Sequence, residues 1–117
     1  MPSLENHKIK YTQNKALLAK ELNIETCQNY DWMITIMFYT ALHLVEGELA
    51  KTSVHTKTHT DRHTMINRNT VFRNIKAKYK TLHDRSIAAR YSGKVATKTK
   101  AEYCMQLLED IEKEITI

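Results

Sequence analysis

Most of the chemistry this sequence has to offer lies in its histidines and in the arginines close to them. Asp31, Thr35, Tyr39, His43 and Glu46 follow one another at helical spacings, so a helix through them carries an acid, a phenol, an imidazole and a second acid along one face. An imidazole near its ordinary pKa serves as general acid or general base at neutral pH, which makes His43 a candidate catalytic group with Tyr39 one turn away to orient it. The competing use of this seam is structural, with Tyr39 and His43 satisfied inside a core and Glu46 solvated.

His55, His59 and His63 are spaced by four, a pattern that on a helix would align three imidazoles as in a zinc site. His55 and His59 fall in a segment that reads as a loop, and no cysteine or fourth ligand lies nearby. The sequence therefore predicts no metal and no other cofactor. Arg62 opens a helix between His59 and His63, a position suited to phosphate oxygens; its competing use is a salt bridge to Glu46 or Glu48. Further on, Arg73, Lys76, Lys80, His83 and Arg90 recur as a basic ridge that could follow a phosphate backbone, with Tyr79 and Tyr91 placed to stack on unpaired bases. An ordinary charged solvent face would show the same ridge. Gly47 and Gly93 are isolated, which removes phosphate-cradling glycine loops, and neither Cys27 nor Cys104 sits in a nucleophile signature.

The elements that must position these residues are helices. With two Gly and one Pro in 117 residues there are too few turn residues for a sheet protein, and the length suits one domain spanning 1–117. The spacing of Leu4, Tyr11, Leu18 and Leu22 predicts a helix over 3–24. A helix over 28–51 is apolar around most of its circumference, including Trp32, and forms the centre of the fold. The Thr-rich stretch 52–60 reads as a loop, after which Thr58 and Asp61 have the spacing of a capping box. Asn69 or Thr70 can cap a helix over 71–91 that carries Phe72, Ile75, Tyr79, Leu82 and Ala89 inward and ends at Gly93. The last helix, over 97–115, places Tyr103, Cys104, Leu107, Leu108, Ile111 and Ile115 on one side and acids on the other. The expected fold is all-α, an up-down bundle of four long helices and one short one.

Charge points to the partner. The net charge is +5, yet residues 51–100 hold 13 Lys and Arg against two acids, Asp61 and Asp84, so the rest of the chain is acidic overall. Cations gathered in one stretch favour a polyanion, most often nucleic acid, unless the acidic C-terminal segment or a neighbouring subunit balances them. The apolar window 32–45 is short of a membrane span, no leader of signal-peptide type opens the chain, and two scattered cysteines suit free thiols in a reducing compartment. These features predict a cytoplasmic protein that does not enter a membrane.

The runs FYTALHLVEGELA (Phe38–Ala50), HTDR (His59–Arg62) and YKTLHDRSIAARY (Tyr79–Tyr91) resemble the HEPN superfamily of small helical domains, over roughly residues 28–92. The matching features are an aromatic residue and a His on the central helix (Tyr39, His43), a His-x-x-Arg helix start (His59, Arg62) and a closing Ala-Arg-Tyr (Ala89, Arg90, Tyr91). The Arg-x(4–6)-His signature of ribonuclease members is missing, since no Arg here has a His at that distance downstream. The resemblance implies an up-down bundle, a two-fold homodimer and a role in toxin–antitoxin, antiviral defence or RNA-processing systems.

Two functions follow from it. As a metal-independent endoribonuclease, the chain would use His43 and His59 as acid and base and Arg62 or Arg90 against charge on phosphorus, with tRNA one substrate. As a non-catalytic module or scaffold subunit, the same groups, together with His55, His63, Arg73, Lys76, Lys80 and His83, would hold RNA, a nucleotide, an antitoxin or a larger assembly.

Overall fold

The computed structural model describes residues 2–117 and is all-helical, with no strand among them. Its helices are α1 (Leu4–Ala19), α2 (Tyr30–Ala50), α3 (His59–Arg68), α4 (Lys76–Tyr91) and α5 (Lys98–Glu114), with a 3-10 turn at Thr70–Phe72. Four are long and α3 is short, as the spacing predicts.

α2 is the central element, packed on α1, α4 and α5, because it is apolar on nearly every side. Met33, Met37, Phe38, Ala41, Leu44, Val45 and Leu49 are all buried along it. Trp32 departs from the expected core position and is 62% exposed. Gly47 is buried where Ile117 folds back on α2; a Cβ there would lie 2.7 Å from the Ile117 Cδ1 atom, so the absence of a side chain permits the close approach.

Caps explain the helix boundaries. Ser3, Thr58 and Thr97 each accept a hydrogen bond from the backbone N–H three residues on, which satisfies one of the unpaired donors at the starts of α1, α3 and α5. α1 ends at Ala19, earlier than predicted, because the Asn23 amide donates to the Ala19 carbonyl at 2.9 Å and the chain turns Leu22 and Ile24 back toward the core. α3 starts at His59, so His59 is in a helical first turn and not in a loop.

The predicted helix over 71–91 is divided. The Asn69 side chain accepts from Val71 N–H and starts the 3-10 turn, which lets Phe72 and Ile75 both enter the core before α4 begins. Arg73 therefore lies outside α4 and is exposed. On α5, Tyr103 is 48% exposed instead of inward, with the Arg85 guanidinium 5.9 Å from its ring centroid. Glu112 of the same helix receives the Tyr11 hydroxyl and Lys15 from α1, joining the two. Cys104 is buried, Cys27 is half-buried, and both are free thiols. No helix among the described residues is long and apolar enough to cross a membrane.

Candidate functional site

α2, α3 and α4 meet around a buried ion pair. Glu46 of α2 is 4% exposed and Arg62 of α3 is 7% exposed, and the guanidinium Nε donates to Glu46 Oε1 at 2.6 Å. The Thr56 hydroxyl donates to the same carboxylate oxygen. Charges this deep persist only when additional hydrogen bonds take up their remaining capacity. Arg62 uses a further donor on His59, with Nη1 at 2.9 Å from the imidazole Nδ1. Thr58 makes this geometry available by capping α3, which sets His59 and Arg62 one helical turn apart.

That contact fixes the state of His59. A guanidinium can only donate, so His59 Nδ1 accepts, and the single proton of the neutral ring sits on Nε2. His59 is exposed, yet what burial there is, followed by the charges of Arg62 and Arg90, holds its pKa below the ordinary value. At neutral pH the ring is uncharged and offers an N–H donor beside a guanidinium.

Behind it lies a second layer of rings. His83 is buried and stacks on Phe38, centroids 4.6 Å apart and planes 11° from parallel. Its Nδ1 is 2.8 Å from His63 Nε2, a contact in which one ring donates and the other accepts, so the two cannot both be protonated in place. The His59 ring is 4.5 Å from His83, and His63 meets Tyr79 edge-on at 5.5 Å. Burial first, then the neighbouring His59 and His63, push His83 down to about 4, and burial followed by Lys80 and Arg62 lowers His63. The imidazoles are thus kept neutral, and the fixed positive charge belongs to Arg62 and Arg90.

Arg90 arrives from the last turn of α4. Its guanidinium carbon lies 5.6 Å from the Tyr39 ring centroid and 5.5 Å from that of Tyr91. It forms no ion pair among the described residues, and its buried Nη1 has no hydrogen-bond partner.

No protein-family model matches this chain, and no curated protein or solved structure matches it either. The reading of the site therefore rests on its own residues.

Of the predicted catalytic set, His59 and Arg62 converge and His43 does not join them. His43 faces α1, where its Nδ1 is 3.0 Å from His7 Nδ1, beside a cleft of about 300 Å³ lined by both histidines, Asn6, Ile9 and Lys10. Burial, then His7 and Lys10, bring its pKa down to about 4. Tyr39 is turned to Phe38 and Arg90 and does not orient His43. The expected acid–base couple of His43 and His59 is thereby undone, because α1 supplies a different partner for the imidazole on α2.

The basic ridge is also corrected. Lys76 and Lys80 are exposed, Lys80 pairing with Asp84 at 3.1 Å, but α3 covers the same face of α4 farther along, so His83 is buried under His63. Tyr79 is fully buried with an unpartnered hydroxyl and cannot stack on a base, whereas Tyr91 is 77% exposed and can. His55 is half-buried outside the cluster, its Nδ1 unpartnered. Sequence reasoning missed Phe38 as the platform for His83, Thr56 as a donor to Glu46 and His7 as the partner of His43, each supplied by a contact distant in sequence or hidden in an apolar or Thr-rich run. Among the described residues, no three or more His, Cys, Asp or Glu side chains are grouped so as to hold a metal ion.

Proposed function

We propose that this chain is an HEPN-like, up-down helical module that binds RNA, with His59, held in place by Arg62, and Arg90 taking a backbone phosphate. The observation that carries the reading is the donor relation between Arg62 Nη1 and His59 Nδ1. It leaves His59 with an Nε2–H, a group suited to donate to a phosphate oxygen and unsuited, in that tautomer, to draw a proton from a ribose hydroxyl. Arg90, whose charge acts on His59, forms no ion pair among the described residues and adds positive charge that favours an anion nearby. Binding without cleavage is thus favoured over the metal-independent ribonuclease.

The test is fluorescence anisotropy with a labelled single-stranded RNA, followed by a denaturing gel of the same mixtures in EDTA. His59→Ala and Arg90→Gln are each expected to weaken binding by about tenfold, the scale of a lost hydrogen bond to a charged group. Affinity should also fall steeply with added salt as counterions compete, and the RNA should stay intact. Unchanged affinity in both variants would contradict the phosphate site, and cleavage lost in His59→Ala would replace the binding reading with the ribonuclease.

A further inference from the structure

A second surface, continuous with the first through Arg90, surrounds the start of α2 and the end of α4. Trp32, the single tryptophan, is 62% exposed and lines a cleft of about 320 Å³ with Asp31, Thr35, Ala89 and Arg90. Across Ala89 this cleft adjoins another of about 270 Å³ whose charged lining is Arg85, Lys94 and Lys100, with no acid. None of those three cations forms an ion pair among the described residues.

The acid that lines the Trp32 cleft is already engaged. Asp31 Oδ1 accepts the Ala96 backbone N–H at 2.9 Å, which ties the turn after α4 to the first turn of α2. Gly93, at φ +76°, provides the left-handed bend that brings Lys94 over the end of α4. The tie holds the cationic cleft and the exposed indole in one fixed arrangement.

An exposed aromatic side chain beside a cleft bearing three cations matches the two parts of an unpaired nucleotide, a base and a phosphate. In a duplex the bases are already stacked and paired, so a duplex could use the cations but would leave the indole uncovered. We propose that the two joined clefts bind a single-stranded segment of RNA, with one base stacked on Trp32 and flanking phosphates on Arg85, Lys94 and Lys100. The proposal rests on the RNA-binding reading and adds to it a base-contacting subsite and a preference for unpaired strands.

The experiment uses Trp32 as its own reporter, because no other tryptophan contributes to the emission. A short single-stranded RNA should quench it saturably, and the same sequence as a duplex should not. By anisotropy of labelled RNA, Trp32→Ala and the double variant Lys94→Gln/Lys100→Gln should each bind about tenfold more weakly, within the range measured for one base stack or a pair of phosphate contacts. All three side chains are exposed, and thermal melting of each variant checks that the fold is retained.

Full RNA affinity in these variants without quenching in the natural chain would overturn the subsite and leave the RNA reading standing, provided His59→Ala still weakens binding. Absence of RNA binding altogether would overturn both. Quenching by polyglutamate that matches quenching by RNA would assign the surface to an acidic protein instead. A Trp32 emission that changes with protein concentration and ignores RNA would assign it to a second copy of the chain.

Discussion

Glu46→Ala should destabilise the fold by about 3–5 kcal/mol, the cost of leaving a buried charge without its partner. Arg62 is 7% exposed and gives up its 2.6 Å contact in this variant, while the Thr56 hydroxyl loses its acceptor. Arg62→Ala should cost a similar amount for the converse reason, since Glu46 is then the unpaired charge. The pair itself is not expected to add much stability over an apolar replacement, because removing two charges from water offsets most of their attraction. Glu46→Leu/Arg62→Met is therefore expected to recover most of the stability lost in the single variants and to bind RNA poorly. Urea denaturation of the four proteins, analysed by linear extrapolation, checks the first statement, and anisotropy checks the second. Single variants within about 1 kcal/mol of the natural chain would show that water reaches the pair and that it is not held as described.

Mild acid should be the other large effect. His43 and His83 are each brought down to about 4 in the folded chain, and His7, His59 and His63 are lowered as well, burial being the first cause in every case. In the unfolded chain these rings take protons near pH 6.5, so between that value and about 4 the unfolded state binds more protons than the folded one. Stability is therefore full above the unfolded pKa and falls as pH drops through this window. For a ring shifted that far the loss is on the order of 3 kcal/mol, and His43 and His83 act from separate sites, so their losses accumulate. The contact geometry gives the same direction, because His7 with His43 and His63 with His83 share close nitrogen pairs that double protonation would force apart. Denaturation midpoints measured between pH 7 and pH 4 should fall steeply, and His83→Phe, which can keep the stack on Phe38 without titrating, should make the profile less steep while the His43 contribution remains. A flat profile in the natural chain would mean that these rings are solvated.

How far the sequence reveals this arrangement depends on whether its signals are local. The all-helical class, the apolar character of α2 and the Thr58 cap are readable, because capping and helical spacing act over three or four residues, whereas the Thr-rich run hides that α3 already begins at His59. Glu46 as the salt-bridge partner of Arg62 is one of two alternatives that spacing allows, and packing selects it. The interruption before α4 is hidden, because Phe72 and Ile75 keep a helical spacing even though a 3-10 turn is what brings both inward. His43 is misread for a different reason: its partner His7 is 36 residues earlier, and no local pattern signals that α1 will lie there. Trp32 illustrates the opposite error, an apolar side chain counted inward on a helix that still has one face to water.

The central claim is that His59, held as an Nε2–H donor by Arg62, contacts RNA phosphate. Its most direct test is long-range proton–nitrogen NMR of the imidazoles at neutral pH, recorded with and without single-stranded RNA. The account predicts that His59 is neutral with its proton on Nε2, that this nitrogen and its proton shift on adding RNA, and that the His7 and His43 signals stay in place. A His59 ring protonated on Nδ1, or one whose signals do not respond to bound RNA, would contradict it.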